Sequence, residues 1–490
     1  MKRAASSASK AAPRAKKPRP EIPEYHSTPS LRDESGEIIW PAPKAQIEGA
    51  RKFILEWSVS SNSASDDAMN ATVAAKKKTL IVPDKDADGL TSGAILQKTL
   101  VLLGLPEDLI AAHLVRKGSN VHEEAERRAM AAHEPAYIFV LDQGSRKCGP
   151  IIDPPAHRDG CRALVLDHHW AGPDGDDFPA GAEHITASRS PPVATSSLLT
   201  YHVCAALHEA VPGRCDWLCV MGTHGDLGNT LKWEPPFPDM RATFKAHTKK
   251  ALNEAVSLLN APRRTSAYDV PGAWAALVAA AGPRDLLSNP ALLAARAEVN
   301  GEVARCARAP PRFSGDGRVA VVRIKSAAQV HPVIATRWAN TLQSARLEIV
   351  LVANEGYLPD RVNFSCRVAR SARGPDRQDR PVDIIEVLQE YANRAPDPTL
   401  RARLGESFAR GHKEASGGIV PNAEFEELMA VLEIGKKSPE GEGSGGSSDS
   451  SPKTTRKSAA VAATASATAG VPNQSNTLMN YFGKATASST

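Results

Sequence analysis

The sequence has no apolar run long enough to cross a membrane, and it contains few cysteines and aromatic residues. No stretch approaches the roughly 18 apolar residues that a transmembrane helix requires, and we recognise no secretory signal. The seven cysteines are scattered, and only Cys215 and Cys219 lie close together, without the second pair that is typical of a zinc site. These absences favour buried free thiols in a reducing compartment over a zinc site or disulfides.

The charge balance is uneven along the chain. The 490 residues carry a net charge of +5, and their apolar content of 42% is sufficient for two or three domains with real cores. Residues 1–20 contain seven Lys and Arg and no acid, so the rest of the chain has a net charge of −2. The positive balance is therefore a property of the N-terminal tail and gives no evidence that the folded part binds nucleic acid.

Both ends of the chain have the composition of disordered segments. Residues 1–43 are predicted to form a basic tail, and residues 436–490 a Gly, Ser, Thr and Ala-rich tail. Two basic clusters at residues 2–3 and 14–18 resemble a bipartite nuclear localisation signal, from which we predict a nuclear protein. The alternative is a generic solvated basic tail.

An apolar triplet interrupts the polar C-terminal tail at Leu478, Tyr481 and Phe482. Its spacing resembles a sliding-clamp-binding motif, although Ser475 stands where that motif begins with Gln. Because these side chains have no core to join, we expect a docking segment that becomes ordered on binding, with a sliding clamp as its partner.

Strands and helices are predicted to alternate over residues 44–240. This alternation favours an α/β fold with a mostly parallel, doubly wound sheet and helices on both faces. Residues 241–311 are predicted to be a helical connector, and residues 312–435 a second, smaller α/β domain. The strands of the first domain are expected at 79–83, 110–115, 136–142 and 162–167, and its helices at 92–103, 121–132, 194–210 and 215–222.

An acid-rich turn follows the first predicted strand. Asp84, Asp86 and Asp88 alternate with other residues, so their carboxylates would point the same way if the strand continued. Thr91 or Ser92 is expected to cap the helix that follows. Three carboxylates this close repel one another unless cations lie between them, although a solvated acidic turn is the alternative.

Three further segments also end in acidic residues. Two predicted buried strands end at Asp142 and at Asp167-His168-His169, and an apolar segment ends at Asp226 between glycines. Carboxylates with one or two imidazoles suit Mn²⁺ or Mg²⁺ better than Zn²⁺ in a thiolate site. Two such cations could clamp a phosphate and activate a water for in-line attack.

In order and spacing, these segments resemble the four motifs of the DHH phosphoesterase superfamily, and the first is most similar to the RecJ-like exonuclease branch. The resemblance implies two bound divalent cations, with Mn²⁺ preferred to Mg²⁺. It implies that Asp167 orients a histidine and that His169 contacts the scissile phosphate. The metal ligands that it implies are Asp84, Asp86, Asp88, Asp142, His168 and Asp226.

The segment 411–418 resembles the glycine-rich motif of the substrate domain associated with this family, DHHA1. The resemblance implies that this domain holds the far end of the substrate. The residues implied in binding are Ser365, Arg367, His412, Ser416, Gly417 and Gly418. Six arginines between residues 361 and 380 are a further candidate for a phosphate-binding surface, with a solvated loop as the alternative.

The family resemblance predicts a metal-dependent phosphodiesterase that cuts single-stranded nucleic acid or short oligonucleotides from an end, with a role in DNA repair. One alternative is a hydrolase of dinucleotides, pyrophosphate or polyphosphate. Another is a catalytically inactive replication scaffold, which would have no need for mutually repelling carboxylates.

Overall fold

Two β-sheets, each covered by helices, organise the chain. The computed structural model describes residues 29–62, 78–153, 160–172, 174–373 and 381–435. The basic clusters and the apolar triplet of the C-terminal tail lie outside these residues, so the nuclear signal and the clamp-binding segment stay predictions. None of the described helices is long and apolar enough to cross a membrane.

The first sheet has five parallel strands in the order β2-β1-β3-β4-β5. These strands are β1 (Thr79–Pro83), β2 (Ile110–Ala112), β3 (Tyr137–Leu141), β4 (Arg162–Asp167) and β5 (Glu183–Thr186). The surrounding helices are α1 (Lys44–Asn62), α2 (Ala87–Leu102), α3 (Glu124–Ala131), α4 (Ser196–Ala205) and α5 (Val211–Asp226). The predicted parallel α/β fold is confirmed, while the edge strand β5 was not predicted.

The strands of this sheet are buried on both faces. Alternate residues such as Ile81 and Phe139 contribute to one core, while their neighbours Val82 and Val140 contribute to the other. Near-continuous apolar strands are what a parallel sheet with two covered faces requires. The polar residues that follow the strands therefore collect at one edge of the sheet.

A run of helices joins the two sheets, as the sequence predicts. It consists of α6 (Arg241–His247), α7 (Lys249–Leu259), α8 (Val270–Ala279), α9 (Pro283–Leu287) and α10 (Pro290–Cys306). Helix α10 contributes Leu292 to the first core and Val299 and Val303 to a core of the second sheet. It therefore packs against both halves of the chain.

The second sheet is mixed, with the strand order β10-β11-β9-β8-β7-β6 and one parallel pair, β7 with β8. Its strands are β6 (Arg312–Phe313), β7 (Val319–Ile324), β8 (Ile349–Leu358), β9 (Arg361–Val368), β10 (Arg410–His412) and β11 (Ala415–Pro421). Its helices are α11 (His331–Thr341), α12 (Ile384–Asn393), α13 (Leu400–Arg403) and α14 (Asn422–Val431). The glycine-rich segment, which the sequence did not indicate as a strand, supplies β11.

The start of the described chain differs from the predicted disordered tail. Residues 29–43 belong to that prediction, yet Trp40 Nε1 donates a hydrogen bond to the carbonyl of Pro192 at 2.8 Å. Ala42 is buried in the first core. Trp40 and Ala42 therefore contact the first domain, and composition does not reveal these contacts.

Candidate metal centre

The acid-rich turn folds differently from the alternation expected in the sequence. Strand β1 ends at Pro83, and Asp86 is the N-cap of α2: its Oδ1 accepts from the backbone N–H of Asp88 at 3.1 Å and of Gly89 at 3.3 Å. The prediction that Thr91 or Ser92 caps this helix is wrong. Both hydroxyls instead donate to carbonyls one turn earlier within the helix.

Gly89 allows the chain to double back on Asp84. A Cβ at position 89 would lie 2.6–2.8 Å from backbone atoms of Asp84, which cannot move without displacing the strand. Gly222 in α5 has a similar role, because a Cβ there would lie 2.2 Å from Ser197 Oγ and 2.3 Å from Thr91 Oγ1. These two glycines set the distance between the carboxylates and the helices around them.

We predict that Gly89→Ala lowers the free energy of unfolding by about 1–3 kcal/mol through overpacking against rigid backbone. It should also weaken Mn²⁺ binding, because Asp84 must shift. Thermal unfolding with and without Mn²⁺ measures both effects. The matched control is Gly301→Ala in the exposed interior of α10, where nothing lies within 4 Å of the new methyl group. The control should be neutral or stabilising, and equal effects of the two substitutions would contradict this assignment.

Asp88 and Asp142 are held by the N-terminus of α4. The buried Asp88 carboxylate accepts from the backbone N–H of Ser196 at 2.7 Å and of Ser197 at 2.9 Å, and Ser196 Oγ donates to Asp142 Oδ1 at 2.9 Å. The partial positive charge of a helix N-terminus favours carboxylates there. Ser196 and Ser197 were not predicted as site residues, although the run Thr195-Ser196-Ser197 is typical of a helix start.

His168 connects the carboxylates. Its Nε2 lies 3.2 Å from Asp142 Oδ1, 3.3 Å from Asp226 Oδ2 and 3.9 Å from Asp88 Oδ2. This nitrogen is buried and makes no hydrogen bond of acceptable geometry to any described residue. A buried imidazole nitrogen among carboxylate oxygens, without a hydrogen bond of its own, fits a metal ligand.

His169 is oriented by Asp167. The buried Asp167 Oδ1 lies 2.8 Å from His169 Nδ1, and Asp167 Oδ2 accepts from Ser145 Oγ at 2.7 Å. Burial opposes a charged imidazole, but the Asp167 carboxylate outweighs it and raises the pKa of His169 to about 9. The His169 side chain is 56% exposed, so its ring can reach a molecule in the cleft.

Asp226 comes from a helix rather than from a strand end. It is the last residue of α5, where a carboxylate interacts unfavourably with the helix dipole. From the sequence we expected only that an apolar segment ended there. The nearby His224 faces away from the cluster. It lies 2.8 Å from Asn253 Oδ1 and accepts from Trp233 Nε1 at 3.2 Å, and burial lowers its pKa to about 4. A neutral packing role accounts for His224.

The four segments thus form three groups whose ligand atoms lie within 4.8 Å of one another. The groups are Asp84, Asp86 and Asp142; Asp88, His168 and Asp226; and Asp142, His168 and His169. Asp142 and His168 each belong to two groups. Burial and the neighbouring carboxylates raise the pKa of Asp86, Asp88 and Asp142, which is the electrostatic cost of placing these groups together without cations. The donor set of oxygens with one or two imidazoles fits Mn²⁺ or Mg²⁺.

We predict that Mn²⁺ affinity rises with pH. Burial and then the repulsion by Asp226 raise the pKa of Asp88 to about 6, so below this pH the metal-free protein holds a proton that a cation must displace. Affinity should therefore increase by about tenfold per pH unit for each proton displaced, and level off only above the raised pKa values of both Asp88 and Asp142. Calorimetric titration in buffers of different ionisation enthalpy measures the proton release. A pH-independent affinity without proton release would contradict the prediction.

Cationic side chains lie beside this cluster and, separately, around His331. Lys85 Nζ lies 3.2 Å from Asp84 Oδ1, and Arg263 Nη2 lies 3.7 Å from Asp86 Oδ2. Burial, together with the guanidinium groups of Arg264 and Arg367, lowers the pKa of the buried His331 to about 3. Lys85 and Arg263 therefore offset part of the negative charge of Asp84 and Asp86.

Most of the substrate-binding residues predicted in the second domain lie on two paired strands. Ser416 pairs with Cys366, and Gly417 with Ser365, between β11 and β9. Arg367 Nη1 donates to Ser365 Oγ at 2.9 Å, while Ser416 Oγ donates to the carbonyl of Arg410 at 2.9 Å. The side chain of His412 lies outside the part of the chain that the structure describes.

The two glycines of this motif have a packing role. A Cβ on Gly417 would lie 2.5 Å from the carbonyl oxygen of Phe364, and one on Gly418 would lie 2.7 Å from the carbonyl oxygen of Ser407. Close strand packing therefore explains both glycines without a ligand. Their predicted contact with a substrate stays a prediction.

The predicted arginine surface is not a single patch. Arg361 and Arg367 stand at opposite ends of the extended strand β9, roughly 20 Å apart at the usual rise per residue. Arg373 Nη1 lies 3.4 Å from Asn340 Oδ1, and its Nη2 donates to the carbonyl of Val368. Arg377 and Arg380 lie outside the described residues. Arg361 is thus separated from the others by the extended strand. Burial and the charges of Arg367 and Arg370 lower the pKa of Arg373 to about 10, so these three arginines lie close together as predicted.

Solved structures with a similar fold cover most of the chain. An exonuclease RecJ bound to manganese superposes with a TM-score of 0.51 at 18% identity, covering 79% of this chain and 93% of that one. RecJ from Thermus thermophilus in complex with Mn²⁺ gives 0.50 at 18% identity, covering 81% and 55%. The DHH domain of a member of a ribosomal protein family gives 0.53 at 13% identity, covering 79% and 90%. No protein-family model and no curated protein matches the chain.

Proposed function

We propose that this chain is a metal-dependent phosphodiesterase acting on nucleic acid. It has the two-domain DHH fold of RecJ-type structures. The observation that carries the proposal is the convergence of four separate segments on one buried cluster. In that cluster His168 Nε2 has three carboxylates within 4 Å, and Asp142 belongs to two ligand groups. A cluster of this kind is costly to keep unless cations offset the repulsion.

The residues divide into two cation sites. Asp84, Asp86 and Asp142 would hold one ion, and Asp88, His168 and Asp226 the other, with Asp142 positioned to contact both. Bound Mn²⁺ or Mg²⁺ ions would supply positive charge for the phosphate oxygens and a water nucleophile at neutral pH. Ser196 and Ser197 hold the carboxylates in place through the N-terminus of α4.

His169 would bind the scissile phosphate. Its Nδ1–H donates to Asp167, which fixes the orientation of the ring and leaves Nε2 as the atom that can face a ligand. The Asp167 carboxylate raises the pKa of His169, which favours the protonated ring and with it a charge-assisted hydrogen bond to a phosphate oxygen.

The junction between the domains suits a substrate longer than one phosphodiester. A cavity of about 590 Å³ lies there, and three arginines that line it are Arg146, Arg401 and Arg410. Arg146 follows Asp142 by four residues, and it pairs across the junction with Glu406 at 2.8 Å. Because the arginines exceed the acid, the cavity favours an anionic polymer that continues beyond the metal centre.

A substrate panel with Mn²⁺ tests this proposal. We expect hydrolysis of end-labelled single strands of graded length, shortened progressively from one end. If only dinucleotides, pyrophosphate or polyphosphate were cleaved, the small-phosphate alternative would replace the nucleic-acid proposal. If no phosphoester were cleaved while single strands still bound, the inactive-scaffold alternative would be correct. Nuclear localisation, a role in DNA repair and clamp binding through residues 478–482 remain separate proposals.

A further inference from the structure

We propose that Trp170 is a stacking platform for the nucleobase adjacent to the scissile phosphate, an inference that rests on the proposed function. Trp170 directly follows His169, and consecutive Cα atoms are about 3.8 Å apart. Its side chain is 67% exposed, more than any other large apolar side chain among the described residues. A base stacked on Trp170 would explain why a tryptophan is exposed to water one residue after His169.

The backbone around Trp170 is fixed on both sides. His169 donates its backbone N–H to Asp167 Oδ1 at 3.2 Å, and Ala171 is buried and accepts from the backbone N–H of Asp177 at 3.0 Å. Gly172 then turns the chain with a φ of 78°. The Cα atom of Trp170, from which the indole projects, is therefore held at a fixed place beside His169.

The indole itself has no partner among the described residues. No hydrogen bond, ion pair or ring contact within that part of the chain involves its side chain, whereas Trp40, Trp217 and Trp233 each donate a hydrogen bond from Nε1. Single exposed apolar residues are common on protein surfaces and need no ligand. What distinguishes Trp170 is its position one residue after the predicted phosphate contact.

A nucleobase is the ligand that fits this position. Bases stack on exposed aromatic rings without sequence preference, because every base has a π-face. Pyrophosphate and polyphosphate have no such face, so a platform here would favour nucleotides over inorganic phosphates at the same metal centre. Trp170 would therefore recognise the nucleobase, which the carboxylates and His169 cannot recognise.

The test combines Trp170→Ala with single abasic units placed at successive positions of a short single strand. We expect Trp170→Ala to lower kcat/KM about tenfold on the intact strand, and Trp170→Phe to lower it less, because a phenyl ring still stacks. At one abasic position the wild type should fall to the level of Trp170→Ala, and the substitution should then have no further effect. The matched control is Phe313→Ala, an exposed aromatic residue on β6 that is 37% exposed and should leave kcat/KM unchanged.

The outcomes separate this inference from the function on which it rests. The Mn²⁺-induced rise in Tm should be the same in Trp170→Ala and the wild type, which shows that the metal centre is intact. If the wild type cleaves single strands and Trp170→Ala matches it, the stacking inference is overturned alone. The same conclusion follows if the loss in Trp170→Ala persists at every abasic position. If the wild type cleaves no oligonucleotide, the proposed function fails, and the stacking inference fails with it.

Discussion

Asp142→Asn is expected to lower Mn²⁺-dependent hydrolysis by at least about 10³-fold, since loss of cation binding removes several kcal/mol of transition-state stabilisation. Asp142 lies at the carboxyl end of β3 and belongs to the ligand group of Asp84 and Asp86, and its Oδ1 lies 3.2 Å from His168 Nε2 of the other proposed site. The substitution preserves the shape of the side chain and removes one negative charge. Both cation sites should therefore weaken together.

The same variant should be at least as stable to heat as the wild type when no metal is present. Burial and the Asp88 carboxylate raise the pKa of Asp142 above its value in the unfolded chain, so its ionised form opposes folding at neutral pH. Asparagine removes that cost, but the Mn²⁺-induced rise in Tm should be lost. The control is Asp239→Asn, an exposed aspartate paired with Arg241, which should retain both activity and the rise in Tm. Wild-type activity of Asp142→Asn would refute the bridging role.

His169→Gln is expected to lower kcat by about 10²–10³-fold, the usual effect of losing one donor to a developing oxyanion. The imidazole that Asp167 orients is lost, while the carboxylates and His168 remain. Mn²⁺ affinity should therefore stay unchanged. Calorimetric titration and steady-state kinetics on the same preparation measure the two effects.

The His169→Gln variant distinguishes a phosphate-binding His169 from a metal-ligating one. His169 Nδ1 lies 3.9 Å from Asp142 Oδ1, within the range of a shared ligand group, but 2.8 Å from Asp167. If His169 depends on its hydrogen bond with Asp167, Asp167→Asn should lower kcat by a similar factor and leave the Mn²⁺ affinity unchanged. A marked fall in Mn²⁺ affinity for His169→Gln would instead make His169 a ligand.

The strand-end residues could be predicted from sequence because parallel strands bring their carboxyl ends to one edge. Asp142 and Asp167 follow apolar runs that read clearly as buried strands, and the structure places both next to His168. The family resemblance added the order of the motifs and the division of roles. The parallel arrangement of the first domain follows from the same alternation of apolar strands and helices.

Other parts of the site depend on tertiary contacts that local patterns do not show. Asp86 caps a helix because Gly89 lets the chain fold back on Asp84, a close approach that appears only in three dimensions. Asp226 reaches the cluster from the end of α5. Ser196 stabilises Asp88 and Asp142 from a helix start more than 50 residues away in sequence.

The role of the glycine-rich motif in the second domain also could not be predicted from local sequence patterns. A glycine-rich motif resembles a phosphate-binding loop in sequence, yet Gly417 and Gly418 lie in a strand where close packing against Phe364 and Ser407 already requires them. The structure shows the close approach of the backbone at both glycines, and a ligand there is a separate hypothesis.

Anomalous scattering from crystals grown with Mn²⁺ tests the central claim, that four segments assemble a centre for two cations. We expect two peaks, one among Asp84, Asp86 and Asp142 and one among Asp88, His168 and Asp226, and a loss of both in Asp142→Asn. Absence of Mn²⁺ from these residues in the wild type, or peaks that persist unchanged in Asp142→Asn, would contradict the account.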